Sequence, residues 1–538
     1  MLLVKNASDE KLRGGFYTPS EITDFIIAWS RNGTVPEKIL EPSCGDGSFL
    51  KSIERSSFKY GEITAVEYDV DEAKKAEMVA PKNTTVINND FHDFCTNTKE
   101  RFDLVIGNPP YIRYQYFDRN QQKAAGKIFD KAGLKYSKLT NAWVSFVVGS
   151  SLLLREQGKM AFVLPAEILQ VGYAKSLRQF LSKEFNKVTI VSFETLVFDD
   201  IQQEVVLLFC EKNATKSHKI EHIEVRDRYA LAKLDLTKVK TPQKEIDFNT
   251  NKWTFYFLDQ REIDFIEELQ EAKKVKPIKS FANVEVGITT GANPFFTVPL
   301  STVKEYKLEK FVRPLVGRSV QVPSVIFRED DWKYNRSIEA KTHLLVFPPV
   351  NKLKNSKGAL KYLEYGEEQG IHKGYKCRIR DEWQIIPSLR VSDALFIRRN
   401  NIYPKFIINE AQAYTTDTMH RVSIKEDVDP KALIASYYNS LSLAFTEICG
   451  RSHGGGVLEL MPNEVEEILL PYSRENNYLI DQIEEDIRAG ISIDEILKYS
   501  DKQILEKGFG FSPSDVKIAN SIWKKLSNRR LRRGKKNV

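Results

Sequence analysis

The residues best suited to chemistry in this sequence are Asn108-Pro109-Pro110-Tyr111, which directly follow a strand-like run over Phe102–Gly107. Two consecutive prolines remove two backbone donors and fix φ, so the strand must end there and the loop beyond it must be stiff. The loop offers the side chain and carbonyl of Asn108, the carbonyl of Pro109 and the ring of Tyr111. Such acceptors beside an aromatic face suit a flat ring that carries an exocyclic amine. A plain proline turn with Tyr111 in the core is the alternative, so the surrounding sequence must decide.

A glycine-containing turn between a predicted short strand and a predicted helix forms a second candidate site. Gly45 and Gly47 allow the backbone to approach a ligand closely. Leu50 stands where the dinucleotide fingerprint has its third glycine, which disfavours a nicotinamide cofactor. Glu41 and Asp46 would repel a pyrophosphate, so we expect a cation or a zwitterion at this turn. The turn comprises Glu41, Pro42, Ser43, Cys44, Gly45, Asp46 and Gly47.

Acidic residues also end the next two predicted strands. The run 63–69 is predicted to be a strand with Glu67 near its end, where a carboxylate commonly binds a ribose diol. The run 84–90 is predicted to be the third strand, after which Asp90 could accept from an adenine amine while Phe91 packs on the ring. Three acids at the carboxyl ends of three successive strands favour one shared ligand site.

The elements that must position these residues alternate between helix and strand up to about residue 240. Thr18 is predicted to cap a helix with Pro19 at its first position and Glu21 completing a capping box. This alternation predicts an α/β domain with a doubly wound, largely parallel sheet. Downstream of the proline loop we expect a helix over 141–154, a strand over 158–165, a helix over 167–181 and a closing strand pair over 188–193 and 204–210.

From residue 240 the helix–strand alternation gives way to short β-rich runs separated by Gly, Pro and Asn turns. Basic and aromatic residues interleave over Tyr375–Trp383, a mixture that suits a nucleic-acid surface. The chain returns to helix from Asn463 onwards. We therefore expect three segments: a catalytic α/β domain over 1–240, a β-rich α+β domain over 241–475, and a helical basic segment over 476–538.

Composition and charge exclude several classes of protein. No apolar run approaches the roughly 20 residues that a membrane span needs, and residues 1–15 contain no apolar signal core. The five cysteines lie in no metal-ligand spacing, so we expect no metal, free thiols and a cytoplasmic setting. Residues 501–538 hold eleven Lys and Arg against three Asp and Glu, which accounts for the net charge of +7. This basic tail is expected either to bind phosphate or to be simply solvated.

Taken together, these motifs resemble the TaqI-type (γ-class) adenine-N6 DNA methyltransferases of type II restriction–modification systems. Their order matches too, because Tyr17-Thr18-Pro19 precedes the glycine turn and Asn-Pro-Pro-Tyr follows it. The second half looks like the target-recognition region of the same family. The stretches that carry this second likeness are 287–293, 313–318, Tyr375–Trp383 and 454–460.

The resemblance implies a Rossmann-like catalytic domain, S-adenosylmethionine as methyl donor, double-stranded DNA as substrate and a cognate restriction endonuclease as functional partner. It implies a catalytic set of Asn108, Pro109, Pro110 and Tyr111. Tyr111 and Phe198 would stack on opposite faces of the target base. We expect a monomer. The residues implied in cofactor binding are Tyr17, Thr18, Glu41, Pro42, Ser43, Cys44, Gly45, Asp46, Gly47, Glu67, Asp90, Phe91 and Asn108.

Other activities remain as alternatives on the sequence alone. Methylation at a cytosine carbon needs a thiolate that normally follows a proline, and no cysteine here follows one. Enzymes that methylate protein glutamine or ribosomal RNA guanine share Asn-Pro-Pro-Tyr. They usually lack the Tyr17-Thr18-Pro19 segment and a long β-rich second half. A DNA-specificity subunit or a nuclease subunit without its own methyl transfer is the remaining alternative.

Overall fold

The computed structural model describes residues 17–112, 117, 119–135, 141–198, 203–212, 217–235, 242, 244–246, 252–453 and 455–534. The chain divides into two compact units, unit 1 over residues 1–260 and unit 2 over residues 261–538. Across the part of the chain that the structure describes, no helix has both the length and the apolar character needed to span a membrane.

Among the described residues, unit 1 is built on a nine-stranded mixed sheet with the strand order β3-β2-β1-β4-β5-β7-β6-β8-β9. Strands β1 to β5 pair in parallel, β7 lies antiparallel between β5 and β6, and β8 returns parallel to β6. The prediction of a mixed, mostly parallel α/β sheet is confirmed. The strands are β1 (Lys38–Glu41), β2 (Glu62–Glu67), β3 (Thr84–Asn88), β4 (Phe102–Gly107), β5 (Leu154–Pro165), β6 (Lys187–Phe193), β7 (Val205–Glu211), β8 (Lys219–Val225) and β9 (Lys244–Glu245).

Helices flank this sheet and explain why its central strands are apolar on both faces. Phe102, Val105 and Ile106 of β4 are buried on alternating sides, as expected for a parallel strand with both faces covered. Helix α6 is buried almost all round, in keeping with a sequence that is apolar apart from three serines and carries no charge. The helices of unit 1 are α1 (Ser20–Ser30), α2 (Ser48–Arg55), α3 (Val70–Val79), α4 (Phe91–Asn97), α5 (Arg119–Lys131), α6 (Ala142–Leu153), α7 (Lys175–Glu184) and α8 (Arg228–Leu231).

Two local predictions in unit 1 are wrong. The run 167–181 is not one helix: two short 3₁₀ turns precede α7, and the buried guanidinium of Arg178 donates to the carbonyls of Ile168 and Val171. Thr18 is not a helix cap, because α1 begins at Ser20 and its N-terminus receives no side-chain hydrogen bond. The Thr18 hydroxyl is used elsewhere, in contact with Asn108.

The described residues of unit 2 form four small sheets, with the strand orders β11-β19-β15-β17, β12-β14-β13-β18, β16-β21-β20 and β10-β22. Short strands separated by turns are present as predicted, but helices hold more of the described residues of unit 2 than strands do, so this part of the chain is not β-rich. The strands are β10 (Lys276–Pro277), β11 (Ala282–Val286), β12 (Thr297–Val298), β13 (Val312–Val316), β14 (His343–Leu345), β15 (Ala394–Ile397), β16 (Arg399–Asn400), β17 (Phe406–Ile408), β18 (Tyr414–Thr415), β19 (Met419–Ile424), β20 (Arg451–His453), β21 (Val457–Glu459) and β22 (Leu469–Leu470).

Helices lie around the sheets of unit 2, and the last described element of the chain is also a helix. They are α9 (Gln260–Ala272), α10 (Asn293–Phe296), α11 (Leu300–Glu305), α12 (Glu329–Ser337), α13 (Lys357–Glu368), α14 (Tyr375–Arg378), α15 (Pro430–Ala435), α16 (Ser440–Cys449), α17 (Pro462–Glu466), α18 (Leu479–Arg488), α19 (Ile493–Ser500) and α20 (Pro513–Gly534).

The basic tail is partly structural, because it contributes the last helix of unit 2. Arg530 of α20 is only 2 % exposed and forms an ion pair of 2.5 Å with the buried carboxylate of Glu447 on α16. The same guanidinium donates to the carbonyls of Asn401 and Gly456. A buried cation with these acceptors locks α20 onto α16 and onto the β20–β21 turn.

Removing the Arg530 side chain should destabilise unit 2. Arg530→Met leaves the Glu447 carboxylate buried without its partner, so the free energy of unfolding should fall by roughly 3–5 kcal/mol in urea titrations. The double variant Arg530→Met with Glu447→Leu should recover part of the loss. Lys517→Ala, an exposed position on the same helix, is the control and should change stability by less than about 0.5 kcal/mol. A single variant that unfolds like the parent would contradict the anchoring role.

Candidate functional site

The site lies where the strand order of unit 1 reverses. Strand β1 pairs in parallel with β2 on one side and with β4 on the other. Open α/β sheets bind ligands at the carboxyl edge beside such a reversal. The glycine turn (residues 41–47) leaves β1 at this edge, and the proline loop (residues 108–111) leaves β4 next to it.

The glycine turn requires its second glycine. Gly47 has φ +79°, and a Cβ added there would lie 2.7 Å from Cγ2 of Val79 and 3.2 Å from Cα of Ala76. The carboxylate of Glu67 holds the turn from β2, because its two oxygens accept from the backbone N–H groups of Gly45 and Asp69, each at 2.9 Å. The turn is therefore pre-formed, with α3 packed closely beneath it.

Glu41 is the electrostatically strained residue of the turn. Its side chain is 1 % exposed, and its Oε2 atom has no hydrogen-bond partner among the described residues. Burial, together with the nearby charges of Asp46 and Glu67, raises the pKa of Glu41 well above its usual value of 4.5. A buried carboxylate without a partner is unfavourable by itself, so this position favours a cationic ligand.

The rest of the glycine turn is engaged with its surroundings. Asp46 accepts from the hydroxyl of Ser48 at 2.6 Å and from the ammonium of Lys51 at 2.7 Å. Burial raises the pKa of the Cys44 thiol, which disfavours the thiolate form that a nucleophile needs. Pro42 is buried, while Ser43 is half-buried and donates to the carbonyl oxygen of Asn108 at 3.3 Å. That hydrogen bond joins the glycine turn to the proline loop.

The side chain of Asn108 is oriented from both ends. Its Nδ2 donates to the Thr18 hydroxyl at 3.2 Å, and its Oδ1 lies 2.8 Å from the hydroxyl of Tyr111. The Tyr111 hydroxyl is also 3.2 Å from the carbonyl oxygen of Val163. Burial raises the pKa of Tyr111 well above its usual value, which keeps the phenol neutral and able to donate. Pro109 is buried, and Asn108, Pro110 and Tyr111 are half-buried.

Asp90 caps α4 and is held by residues that the sequence analysis did not single out. Its Oδ1 accepts from the backbone N–H of His92 at 2.7 Å and contacts the His92 ring Nδ1 at 3.0 Å. Its Oδ2 accepts from Gln121 of α5 at 2.9 Å. Burial alone would raise the pKa of Asp90, but the hydrogen bonds and charge of His92, with Gln121, lower that pKa overall.

His92 is buried and extends this network into the helix layer. Its Nε2 lies 2.7 Å from the Ser145 hydroxyl on α6. Phe91 is buried as well, and its ring stacks on Phe146 at 4.7 Å. The sequence signal that could have revealed His92 is its place directly after Asp90-Phe91, two residues beyond a predicted strand end.

Two predicted site residues have different surroundings from the others. Tyr17 is 53 % exposed, and its hydroxyl donates to Glu72 of α3 at 3.1 Å. Phe198 is buried in the core cluster of unit 1 against which Tyr111 packs. Asp199, which follows it, lies outside the described residues. Within the described ranges no group of three or more His, Cys, Asp or Glu side chains is arranged to hold a metal ion.

Glu41→Gln should make the protein more stable near neutral pH. The folded-state pKa of Glu41 is raised above its unfolded value, so its contribution to stability is present below about pH 4.5 and is lost as the pH rises. The neutral amide should therefore raise the free energy of unfolding by about 1 kcal/mol or more at pH 7.

The measurement is urea unfolding of parent and variant between about pH 5 and pH 8. Glu77→Gln changes an exposed carboxylate of α3 and is the matched control. A Gln variant less stable than the parent at pH 7 would show that the Glu41 charge stabilises the turn instead of straining it.

Two family models match the chain. The model described as N-6 DNA Methylase matches residues 1–276, and the model of the C-terminal domain of the type II methyltransferase M.Eco57I matches residues 250–505. The first of these covers the sheet, the glycine turn and the proline loop, and the second covers most of unit 2.

Individual proteins are similar over different lengths. The type II methyltransferase M.AccI of Acinetobacter calcoaceticus is 25% identical over 468 residues, which cover 84% of this chain and 84% of that protein. The type II methyltransferase M.HincII of Haemophilus influenzae is 30% identical over 199 residues, 36% of each chain. A cryo-EM structure of a DrdV–DNA complex superposes with a TM-score of 0.50 at 13% identity over 89% of this chain and 58% of that chain, a likeness of fold.

Proposed function

The chain belongs to the N-6 DNA methylase family and is an adenine-specific, S-adenosylmethionine-dependent DNA methyltransferase of type II, and from this premise we propose how its residues perform the reaction. The proposed reaction transfers a methyl group to the N6 amine of an adenine that has been flipped out of duplex DNA. The observation that carries the proposal is the amide of Asn108, fixed between Thr18 and Tyr111 and linked through Ser43 to the glycine turn.

The acids around the glycine turn fit the donor. When bound, S-adenosylmethionine supplies an electrophilic methyl group on a positively charged sulfur. We propose that the buried carboxylate of Glu41 gives this turn its preference for a cationic group. Glu67, at the end of β2, is placed to accept from a ribose diol, and Asp90, at the end of β3, to accept from an adenine amine. Tyr17, Thr18, Phe91 and the rest of the glycine turn complete the proposed site.

The proline loop would hold the target base. The carbonyl oxygen of Pro109 and the second lone pair of Asn108 Oδ1 would accept the two hydrogens of the adenine amine. Binding both hydrogens draws the nitrogen towards tetrahedral geometry, so its lone pair leaves the ring and would form the new carbon–nitrogen bond. The carbon–sulfur bond of the donor would break with its electron pair kept by sulfur, and one of the two amine protons would then pass to water. Because Pro109 is buried and Pro110 fixes the backbone, these acceptors are oriented before the base arrives.

Stacking would offset the free energy of removing the base from the duplex. Unstacking costs a few kcal/mol, and one aromatic contact returns about 1–3 kcal/mol. Tyr111 is half-buried at the loop and is proposed for one face of the base. Phe198 is proposed for the other face, with support from its place in the core cluster that also contacts Tyr111.

The roles of the domains, the oligomeric state and the functional partner are also proposals. We propose that residues 241–475 recognise the DNA target, with support from the M.Eco57I C-terminal model over 250–505. Residues 1–240 would then form the catalytic domain and 476–538 a helical basic segment. We further propose that the protein acts as a monomer and that its methylation protects the site from a cognate restriction endonuclease.

Asn108→Ala should abolish methyl transfer without removing the donor. Loss of one pre-oriented polar group at a reacting centre should lower kcat by at least about 10²–10³-fold. Tritiated S-adenosylmethionine is incubated with the enzyme and with duplex DNA, RNA or protein, and each fraction is counted. The parent should label DNA alone, and calorimetry should give parent-like donor affinity for the variant.

Asn97→Ala removes an exposed amide at the end of α4 and should label DNA like the parent. Near-normal turnover of Asn108→Ala would remove this residue from the mechanism. Label appearing in RNA or protein instead of DNA would overturn the proposed substrate.

A comparison of Tyr111→Ala with Tyr111→Phe should separate stacking of the ring on the base from the contact of the hydroxyl with Asn108. The Ala variant loses the ring, so capture of the base should weaken by about 1–3 kcal/mol. The Phe variant keeps the ring but loses the hydroxyl that contacts Asn108 Oδ1 and the Val163 carbonyl. With 2-aminopurine at the target position, fluorescence on binding should rise least for the Ala variant. Identical signals from parent and both variants would argue against stacking by Tyr111.

A further inference from the structure

Two stretches of unit 2 that lie far apart in the sequence form one surface. The loop 287–293 packs against α14, and we call the two together with the adjoining residues 370–381 the platform. Gly291 has φ +85°, and a Cβ added there would lie 2.9 Å from Cβ of Lys376 and 3.1 Å from Sγ of Cys377. Only a glycine allows this close approach of the loop to the helix.

The platform is rigid on its inner side. The guanidinium of Arg380 donates to the carbonyl oxygens of Thr289 at 3.1 Å and Thr290 at 2.7 Å. Cys377 is fully buried in an aromatic and aliphatic core. Trp383 also lies on this inner side, with its ring centroid 5.4 Å from that of Phe295. The backbone of the platform is thus fixed before any partner arrives.

The outer side of the platform carries positive charge. Lys373, Lys376 and Arg378 are exposed, and none of them forms an ion pair with a described residue. Elsewhere in unit 2, several exposed cations are paired at the surface. Examples are Lys279 with Glu467 at 2.6 Å, Arg390 with Glu285 at 2.8 Å and Lys498 with Glu495 at 2.6 Å.

Opposing charges at the platform are few. Asp381 is exposed and is the one acidic residue among 370–381. The neighbouring carboxylate of Glu382 accepts from the backbone N–H of Val350 and from Gln384, each at 2.8 Å. Between the cations, Tyr375 is 63 % exposed and Ile379 is 59 % exposed. Cations interleaved with exposed apolar side chains on a fixed backbone suit the sugar–phosphate backbone of a nucleic acid.

We propose that the platform binds the phosphate backbone of duplex DNA through Lys373, Lys376 and Arg378. This inference rests on the proposed role of unit 2 in target recognition and adds which of its faces meets the substrate. Phosphate contacts set the register of a protein on DNA without reading its sequence. The platform would therefore supply affinity and positioning, and the bases would be read by other side chains.

The test compares three full-length proteins. The first is the parent, and the second is the triple variant Lys373→Gln, Lys376→Gln, Arg378→Gln. The third is a control that removes three charges already paired with carboxylates on other parts of unit 2: Lys333→Gln, Lys431→Gln and Lys498→Gln. Binding of a fluorescent duplex is followed by anisotropy as the salt concentration is varied, and donor binding is followed by calorimetry.

Each phosphate contact adds about 0.9 to the slope of log affinity against log salt. The magnitude of this slope should fall by about 2.7 for the platform variant. The affinity of this variant for the duplex near 0.1 M salt should fall by at least roughly tenfold. Its donor affinity, its thermal unfolding and its kcat at saturating DNA should match the parent. The control should keep the parent's slope.

Equal affinity and equal slope for the platform variant and the parent would overturn the inference. An equal loss in the control would do the same, because it would trace the effect to net charge alone. Neither result bears on the catalytic pocket, which the Asn108 variant tests by turnover. A platform variant that loses kcat at saturating DNA would likewise contradict a role confined to binding.

Discussion

The parallel pairing of β1 with β4 is the constraint on which the site depends. It places Glu41 and Asn108, which are 67 positions apart, at the ends of adjacent strands on one edge of the sheet. The hydrogen bond from Ser43 to the Asn108 carbonyl then sets the distance between the glycine turn and the proline loop. A methyl transfer needs donor and acceptor in line at close range, and strand pairing fixes that geometry more firmly than loops alone.

Electrostatic strain accompanies this geometry. Glu41 is buried, its Oε2 atom has no hydrogen-bond partner among the described residues, and the acids at positions 46 and 67 raise its pKa beyond the effect of burial. Glu67, by contrast, accepts from two backbone N–H groups, so its carboxylate holds the turn in place. The site thus combines one strained carboxylate with another that keeps the backbone of the turn in place. Functional sites commonly give up stability in this way.

Unit 2 uses its arginines in two different ways. Arg380 and Arg530 turn inward and hold backbone carbonyls, so they fix loops that no regular sheet would hold. Arg378 faces solvent with Lys373 and Lys376, where its charge is available to a partner. The basic character of this half is therefore not one property, since guanidinium groups that hold backbone carbonyls stabilise the fold and solvent-facing ones are placed to bind phosphate.

The sequence alone predicted the α/β sheet, the end of β4 at Asn108, and the acids at the ends of the first three strands. These features follow from local chemistry, because prolines stop strands, glycines permit tight turns, and parallel strands share a carboxyl edge. The prediction that Thr18 caps a helix is wrong, although the local capping pattern is present. The Thr18 hydroxyl instead accepts a hydrogen bond from Asn108, 90 residues away. It also misjudged 167–181, where a buried arginine favours 3₁₀ turns over a helix.

Only the tertiary structure decided which of these groups have partners. Residues far apart in the chain determine each of these features. They are the isolation of the Glu41 carboxylate, the contact of His92 with Ser145, the approach of the loop 287–293 to α14 and the burial of Arg530. Periodicity and motif spacing report neighbours within a turn or a strand. Burial and long-range hydrogen bonds depend on how whole elements pack, so no local pattern encodes them.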